Sequence, residues 1–442
     1  MKSIKKIATL ALCALMTVSG LSLTACVKPK VGATEITVGI LNNSSERENL
    51  KVLRNAFEKK YEAEGYKIKI VNLTGSYTEA VYRMHAAGTL PDVIQVFDDT
   101  SAYWTSKGIY ADLDEYIARD NIDLSLYVDS MIDIARSGQG DDNSLYWLPR
   151  DYDKLVTYVN KDVFQAAGVE VPTAEEWTWE KMLEVCQALK DNTNKVLAAN
   201  QEINVFYPMS FDPSWAPVYL TMFKNYNVEL ASNGKAFDGK EEDIYACINE
   251  MLSLQTKGYM SFGGNVNITT GELGLAVGGV RTGVPSYEMY DVNYEVLPFP
   301  SEINGNSYVA CGAVGYGMTT ACPDDKKEIA WKFLSYMFSE EGQEEFSKSG
   351  AICPVMKSLL EKEDAEWKKY SVDVDDTAFY AYPERDIKVT FLQDFQPVEQ
   401  HTSIYNNYTY MFKDLFKDNY NGRGTVEAFY AYYSNQIEME MK

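Results

Sequence analysis

The stretch LYWLPRDYDKLVTYVNKD, residues 145–162, decides the fold that this sequence predicts. An aromatic and apolar run, Leu145–Leu148, is broken at Pro149, and a second apolar run rich in β-formers follows after Lys154. Proline cannot donate a hydrogen bond to a β-ladder, so Pro149 marks a strand edge or a junction rather than a central strand position. Two apolar strands are therefore expected here, with a polar break between them.

The polar break admits two interpretations. In the first, the chain crosses between two lobes, and the polar groups of the crossing face the gap between the lobes. In the second, the segment is an ordinary strand–turn–strand whose charges are solvated. The local pattern does not decide between them. The charged residues of the break are Arg150, Asp151, Asp153 and Lys154.

The same stretch, extended to residue 182, resembles the signature of the family 1 extracellular solute-binding proteins. These are the sugar-binding receptors of ABC importers, and they are related to maltose-binding protein. A second block, residues 86–117, resembles the G-x-x-P-D-V strand of that family and the helix after it. The residues that carry the first resemblance are Tyr146, Pro149, Asn160-Lys161-Asp162, Phe164, Ala167-Gly168, Pro172 and Thr178-Trp179.

The order of elements before this stretch predicts a parallel sheet. Short β-rich runs at residues 35–41, 66–73 and 92–97 alternate with segments of helical periodicity, and a strand–helix–strand order implies parallel strands with a right-handed crossover. Together with the resemblance, this predicts an α/β, periplasmic-binding-protein-like fold, with two α/β lobes, a hinge of three crossings and a ligand cleft between the lobes.

The predicted lobes are both discontinuous in sequence. Residues 35–151 plus 309–355 are assigned to the N-terminal lobe, and residues 152–308 plus 356–442 to the C-terminal lobe. The three crossings are placed near residues 151–154, 301–309 and 353–358.

The first 34 residues are interpreted as a processing signal and a tether. Lys2, Lys5 and Lys6 precede an apolar core, Ile7–Val18, which is too short to span a bilayer as a helix. Leu23-Thr24-Ala25-Cys26 matches the bacterial lipobox, so residues 1–25 are predicted to be a lipoprotein signal peptide, with lipid attached to Cys26 and residues 26–34 as a tether. The alternative is a plain secretory signal with an incidental cysteine.

Composition restricts the partners of the chain. Its 442 residues include 64 acidic and 41 basic ones, for a net charge of −23, and such a surface repels phosphate backbones. Nucleic-acid binding is therefore not expected. The two histidines, His85 and His401, leave little room for a histidine-based metal site, and neither a metal nor a cofactor is predicted.

The cysteines that follow Cys26 are odd in number, and their pairing cannot be derived from the sequence. One disulfide, such as Cys311 with Cys353, is weighed against simple burial of free thiols. The five residues concerned are Cys186, Cys247, Cys311, Cys322 and Cys353.

Candidate ligand contacts follow from strand ends and from the resemblance. In open α/β sheets ligands bind beyond the carboxyl ends of the strands, which places residues 42–46 and 98–100 on one rim. Asp212 and Trp215 stand where the resemblance implies a carboxylate and an aromatic ring in the second lobe. The candidates for polar contacts are Asp99, Asp151, Asp153 and Asp212, and those for stacking are Trp215, Tyr152 and Tyr287.

Arg281 departs from the family pattern, which commonly has a G-x-W tryptophan at the corresponding position. The guanidinium could stack on a sugar ring, pair with an anionic group of the solute, or form a structural salt bridge. The sequence leaves these three roles open.

The predicted function is that of a lipid-anchored, monomeric substrate-binding component of an ABC importer on the outer face of the bacterial cytoplasmic membrane. It would bind a sugar or oligosaccharide in the cleft and deliver it to the permease, without catalysis. No phosphate-binding loop, nucleophile elbow, zinc-protease motif or Cys-x-x-Cys pair occurs in the sequence. The alternatives are a receptor for a non-sugar polar or anionic solute and a surface glycoside hydrolase.

Overall fold

The first sheet begins with three parallel strands, as the sequence predicts. Strand β1 (Glu35–Leu41) pairs in parallel with β2 (Lys67–Leu73) on one side and with β3 (Val93–Phe97) on the other. Helices α1 (Ser44–Lys60) and α2 (Tyr77–Ala86) form the crossovers. Ile36, Val38 and Ile40 of β1 are completely buried, which accounts for the β-rich run in the sequence.

Two strands from later in the chain complete this sheet. Strand β4 (Leu148–Pro149) and β13 (Val314–Met318) extend it in the order β2-β1-β3-β13-β4, and β13 runs antiparallel to both of its neighbours. Pro149 lies in the edge strand, where its missing N–H costs no ladder hydrogen bond.

The second sheet has the order β11-β6-β10-β7. Its central pair, β6 and β10, is antiparallel, and all five side chains of β6 are buried. The strands of this sheet are β6 (Val156–Asn160), β7 (Tyr207–Ser210), β10 (Leu273–Gly279) and β11 (Tyr294–Pro298).

A three-stranded sheet of order β14-β12-β5 joins the two larger sheets. Strand β5 (Asp153–Lys154) follows β4 of the first sheet and precedes β6 of the second. Strand β12 (Val309–Gly312) follows β11 of the second sheet and precedes β13 of the first. The chain thus crosses at 150–155 and again between 298 and 314. The chain crosses between the two larger sheets as the first interpretation predicts, but Arg150, Asp151 and Lys154 are buried in the protein and do not face a gap.

The segment that follows the predicted third crossing at 353–358 contacts both sheets. Leu359, Trp367 and Phe379 belong to a cluster that includes Val38 of the first sheet and Tyr158 of the second, and the ring centroids of Phe379 and Tyr158 lie 6.2 Å apart. The chain then joins the three-stranded sheet at β14 (Asp386–Lys388), which pairs in parallel with β12.

The remaining elements surround the three sheets. They are α3 (Asp98–Ser106), α4 (Asp114–Asp120), α5 (Asp129–Ala135), α6 (Lys161–Ala167), α7 (Trp179–Asp191), α8 (Thr193–Ala199), α9 (Ala216–Asn225), β8 (Glu229–Ser232), β9 (Lys235–Asp238), α10 (Glu241–Thr256), α11 (Val284–Met289), α12 (Asp324–Phe338), α13 (Glu340–Ser347), α14 (Lys357–Glu361), α15 (His401–Asp418) and α16 (Val426–Glu440).

The computed structural model describes residues 34–136, 143–263, 266–369, 371, 374–390, 392, 400–418 and 424–442. The predicted signal peptide, the lipidation site Cys26 and the tether up to residue 33 lie outside these residues. Within the described part of the chain, no helix is both long enough and apolar enough to cross a membrane.

The charges of the first crossing are buried rather than solvated. The Arg150 side chain donates to both carboxylate oxygens of Glu46, at 2.6 and 2.5 Å, and its Nε lies 3.1 Å from an oxygen of Asp151. Lys154 pairs with Asp386 at 2.5 Å and donates to the carbonyl of Ala381 at 2.7 Å. Buried ions of this kind need partners, and here the partners come from α1 and β14.

The five cysteines that the sequence left open are free, buried thiols. The considered pair of Cys311 and Cys353 is not a disulfide. Burial raises the pKa of all five thiols above the ordinary value, so they are held in the neutral, unreactive form.

Candidate functional site

A cavity of about 500 Å³ lies where the three sheets meet. The end of β3 and the start of α3 form one wall, and the loop before α9 forms the opposite wall. Strands β5 and β12 provide the floor, and one face of α15 closes a side. The lining residues are Phe97, Asp98, Asp99, Asp153, Leu155, Asp212, Ser214, Trp215, Ala216, Pro217, Val280, Ala310, Gly312, Ala313, Val314, Val389, Tyr405, Asn406, Thr409 and Lys413.

Asp98 is fixed at the floor of the cavity by two backbone amides. One carboxylate oxygen accepts from the N–H of Ala313 at 2.8 Å, and the other accepts from the N–H of Asp99 at 2.7 Å. A Cβ on Gly312 would lie 2.5 Å from the Asp98 carboxylate, so only glycine lets β12 pass this close. Asp98 therefore links the first sheet to the second crossing, a role that the sequence analysis did not assign to it.

Asp153 projects from β5 into the same cavity. Its Oδ1 atom is buried and has no hydrogen-bond partner among the described residues. Asp151 lies behind it, completely buried, and accepts from the N–H of Val314 at 2.8 Å. The wall at this point is therefore a group of carboxylates, of which one retains an unused acceptor.

The carboxylates at the hinge raise one another's pKa values. Burial, followed by the charges of Asp99 and Asp151, raises the pKa of Asp98 to about 8. Burial with the Asp151 charge raises the pKa of Asp153 well above the ordinary aspartate value, whereas the Asp99 side chain is exposed. Desolvation and neighbouring negative charges both disfavour the ionised form of Asp98 and Asp153.

The raised pKa of Asp98 predicts that its contribution to stability decreases as the pH rises. Its carboxyl loses its proton near 3.8 in the unfolded chain and near 8 in the folded protein. Between these values the folded state binds more protons, so the contribution of Asp98 to stability is full below 3.8 and is lost as the pH rises through about 8. We expect Asp98→Asn to have a melting temperature that falls less with rising pH than that of the wild type.

The matched control is Glu64→Gln, at an exposed position of the first lobe. It should follow the wild-type pH profile in differential scanning fluorimetry. A profile of Asp98→Asn that is parallel to the wild type would contradict the assignment.

The second lobe contributes the loop before α9. One oxygen of Asp212 accepts from the N–H of Ser214 at 2.9 Å and from its hydroxyl at 2.6 Å, which fixes the loop. Trp215 follows this turn, and its side chain is 39% exposed. Exposing so much of a large aromatic ring to water is unfavourable. Asp212, Ser214, Trp215 and Lys413 also line an adjoining cavity of about 700 Å³, so the two cavities form one continuous cleft.

Helix α15 supplies lining residues that the sequence analysis missed. Asn406, Thr409 and Lys413 recur at helical spacing and face the cavity, and Tyr405 donates to the carbonyl of Val389 at 3.1 Å. The spacing is visible in the sequence, but every surface helix shows such a polar stripe, so it could not be recognised as a site.

Four of the predicted site residues lie together at the cavity: Asp99, Asp153, Asp212 and Trp215. The other four do not line it. Asp151 is sealed behind the floor, and the Tyr152 hydroxyl bonds to Asp386 on another face of the hinge sheet, beside a separate cavity of about 510 Å³. Tyr287 packs edge-to-face against Tyr158, with ring centroids 4.5 Å apart.

Arg281 has the structural role among the three that the sequence left open. Its side chain is completely buried and forms an ion pair with Asp376. It also donates to the carbonyls of Gly350 at 3.1 Å and Trp367 at 2.7 Å. The guanidinium therefore bonds to protein groups, and Arg281 does not line the cavity.

Among the described residues, no group of three or more His, Cys, Asp or Glu side chains is arranged to hold a metal ion. The cavity thus presents carboxylates, amide and hydroxyl groups and one exposed indole ring. Such groups can bind a polar solute through hydrogen bonds and stacking.

Two α/β lobes, a hinge of three crossings and a polar cavity at the hinge define a binding protein with the periplasmic-binding-protein-like fold. Residues 43–344 match the model of the bacterial extracellular solute-binding protein family, and the chain belongs to this family. Its members are transport binding proteins.

Solved structures of similar fold include sugar-binding proteins of bacteria. An ABC substrate-binding protein from Listeria monocytogenes, in complex with cycloalternan, superposes with a TM-score of 0.73 at 20% identity over 92% of this chain and 98% of that one. The sugar-binding protein MalE from Xanthomonas citri gives 0.70 at 16% identity over 92% and 97%. The cyclic α-maltosyl-1,6-maltose binding protein from Arthrobacter globiformis gives 0.68 at 16% identity over 93% and 100%.

Proposed function

We propose that this protein is the substrate-binding component of an ABC importer, and that it binds a sugar or oligosaccharide in the cleft at the hinge. The observation that carries the proposal is the convergence of Asp99, Asp153, Asp212 and Trp215 on one cavity. Sugar hydroxyls donate to carboxylates, and the apolar face of a sugar ring packs on an indole. In this cavity the Asp99 carboxylate lies on the wall formed by β3 and α3, and the Trp215 ring lies on the opposite wall.

The size of the cleft supports a solute of more than one ring. The hinge cavity of about 500 Å³ continues past Trp215 into the adjoining space of about 700 Å³. Each lies within the range of roughly 300–1,000 Å³ that is usual for small-molecule sites. Trp215 stands where the two spaces meet, so a bound oligosaccharide would pass over its ring.

The proposed lobes follow the crossings of the chain. We assign residues 35–151 and 309–355 to the first lobe and 152–308 to the second, as the sequence predicts. We assign 356–442 to the second lobe as well, because Phe379 packs against Tyr158 of β6 and the buried face of α15 packs in the core of the second lobe. Closure of the lobes about the hinge would bury the solute and create the surface that the permease recognises.

The proposal includes attachment to the membrane through Cys26. The lipobox supports diacylglyceryl transfer to this thiol and places the mature protein on the outer face of the bacterial cytoplasmic membrane. More than one acyl chain anchors a protein stably, whereas a single chain is marginal. The functional unit proposed is a monomer that binds its solute without changing it.

The rival functions are less well supported. A receptor for an anionic solute would need cations at the cleft, and Arg281 is sealed inside the protein. Of the described residues that line the hinge cavity, Lys413 is the one with a cationic side chain. A glycoside hydrolase would turn over its ligand, which the experiment below detects.

Isothermal titration of the mature protein against mono- and oligosaccharides tests the proposal. We expect saturable binding of at least one sugar, and mass spectrometry of the released solute should return it unaltered. Silence across a broad sugar panel would contradict the sugar assignment, and a cleaved product would favour a hydrolase.

A further inference from the structure

On the basis of the function proposed above, we infer that the solute is an oligosaccharide and not a single sugar, and that Tyr410 of α15 binds one of its rings away from the hinge. Tyr410 would be a second aromatic platform, beyond Trp215. The site of this contact is the adjoining cavity of about 700 Å³, hereafter the outer cavity, which Trp215 and Lys413 share with the hinge cavity.

Tyr410 lies on the face of α15 that the core does not use. The opposite face carries a complete apolar stripe, and its side chains are buried in the second core: Ile404, Tyr408, Met411 and Leu415. Tyr410 itself is 51% exposed and lines the outer cavity. The stripe that holds the helix in place therefore does not need this ring, and packing does not account for its position.

Helix α15 runs along both cavities. Asn406 and Thr409 line the hinge cavity, Lys413 lines both, and Tyr410 and Lys417 line the outer cavity. At a rise of about 1.5 Å per residue, Asn406 and Lys417 are roughly 16 Å apart along the helix axis. A solute that contacts both ends of this face is therefore elongated.

The end of β10 contributes backbone and small side chains to the outer cavity, at Ala276, Gly278 and Gly279. A Cβ at Gly278 would lie 3.1 Å from Val218, and one at Gly279 would lie 2.7 Å from the ring of Tyr158. Neighbouring side chains thus keep these positions small. The space beside β10 stays open for a sugar ring, which needs close contact with a flat surface.

The outer cavity belongs to one of the two proposed lobes. Its described lining residues fall within 210–218, 261–279 and 410–417, all of which we assign to the second lobe. The hinge cavity, in contrast, is also lined by Asp98 and Val314 of the first lobe. Contacts in the outer cavity therefore do not require the lobes to close, so one end of a chain can bind there before the hinge encloses the other.

Two exposed aromatic rings favour a chain of sugars over a single sugar. Trp215 lines both cavities, whereas Tyr410 lines the outer cavity and not the hinge cavity. A monosaccharide in the hinge cavity can contact Trp215 but leaves Tyr410 in water. A chain that continues past Trp215 covers both rings with the apolar faces of its sugars, and this removes apolar surface from water.

Titration with sugars of increasing length tests the inference. The probes are glucose and its α-1,4 and β-1,4 oligomers up to the hexasaccharide, and the β-1,4 oligomers of xylose and mannose with their monosaccharides. In at least one series we expect the affinity to rise by about tenfold or more from the monosaccharide to the longer members. It should then level off, because further rings lie beyond the outer cavity.

Variants of Tyr410 test the assignment of the platform. Tyr410→Ala should weaken binding of the longest tight-binding member by at least about fivefold, the lower end of the effect of removing a ring that stacks on a base. Binding of the monosaccharide should change by less than about twofold. Tyr410→Phe keeps the ring and should keep the length dependence, as should Tyr432→Ala, which removes an exposed ring outside both cavities.

The outcomes separate this inference from the proposed function. A monosaccharide that binds as tightly as its longest homologue would overturn the inference and leave the sugar receptor intact. A gain with length that survives in Tyr410→Ala, or a loss that is equal for short and long sugars, would remove Tyr410 from the role of outer platform. If no sugar of any series binds, the proposed function fails as well.

Discussion

Replacing Arg281 by methionine is expected to lower the free energy of unfolding by about 3–5 kcal/mol. The substitution keeps the apolar stem of the side chain but leaves the Asp376 carboxylate buried without its cation. It also removes the donors to the carbonyls of Gly350 and Trp367. The guanidinium lies 5.1 Å from the Trp367 ring and 4.8 Å from the Phe379 ring, so a cation–π contribution is lost as well. Urea denaturation followed by tryptophan fluorescence measures the change.

Two further variants make this result specific. Arg281→Lys keeps the charge but cannot reach all three acceptors, so an intermediate loss is expected. Lys327→Met removes a cation from an exposed pair with Asp324, at 2.7 Å, and should change stability by less than about 0.5 kcal/mol. If Arg281→Met instead weakened solute binding while stability remained unchanged, Arg281 would belong to the site after all.

Trp215→Ala is expected to weaken sugar binding by roughly 1–3 kcal/mol, by analogy with the loss of a ring that stacks on a base. The ring is 39% exposed at the junction of the two cavities, so its truncation removes a solute contact rather than core packing. The backbone of Trp215 accepts from the N–H groups of Val218 and Tyr219 at the start of α9, and these bonds do not depend on the side chain. Calorimetric titration with a sugar that the panel shows to bind measures the change in affinity.

A matched aromatic control lies outside the lining of both cavities. Tyr432 is 58% exposed on α16, and Tyr432→Ala should leave the affinity unchanged. Trp215→Phe retains a smaller ring and should fall between the wild type and Trp215→Ala. Equal affinities for wild type and Trp215→Ala would remove Trp215 from the site.

The interruption of the strand at Pro149 has a functional consequence. Because the polar residues of the first crossing are held by α1 and by β14, the crossing is a fixed platform and not a loose linker. Glu46 reaches Arg150 from α1, and Asp386 reaches Lys154 from β14. A platform of this kind presents Asp153 to the cleft in one orientation, which a specific binding site requires.

The sequence by itself determined the elements and their order. Short β-rich runs and helical periodicity predicted β1, β2, β3 and the helices between them. These features depend on neighbours within a few residues along the chain, which a pattern can represent. For the same reason, Asp99 beyond β3 could be predicted as a candidate for the site, whereas Trp215 before α9 followed from the family resemblance.

Only the tertiary structure decided which charges face the cleft and which are sealed inside the protein. Arg281 and Asp376 are 95 residues apart in sequence, and Tyr152 and Asp386 are 234 apart, so no local pattern reveals that they are partners. The contribution of α15 depends in the same way on which distant apolar faces meet. Burial and pairing are properties of the folded chain, because the free energy of a charge depends on everything that surrounds it.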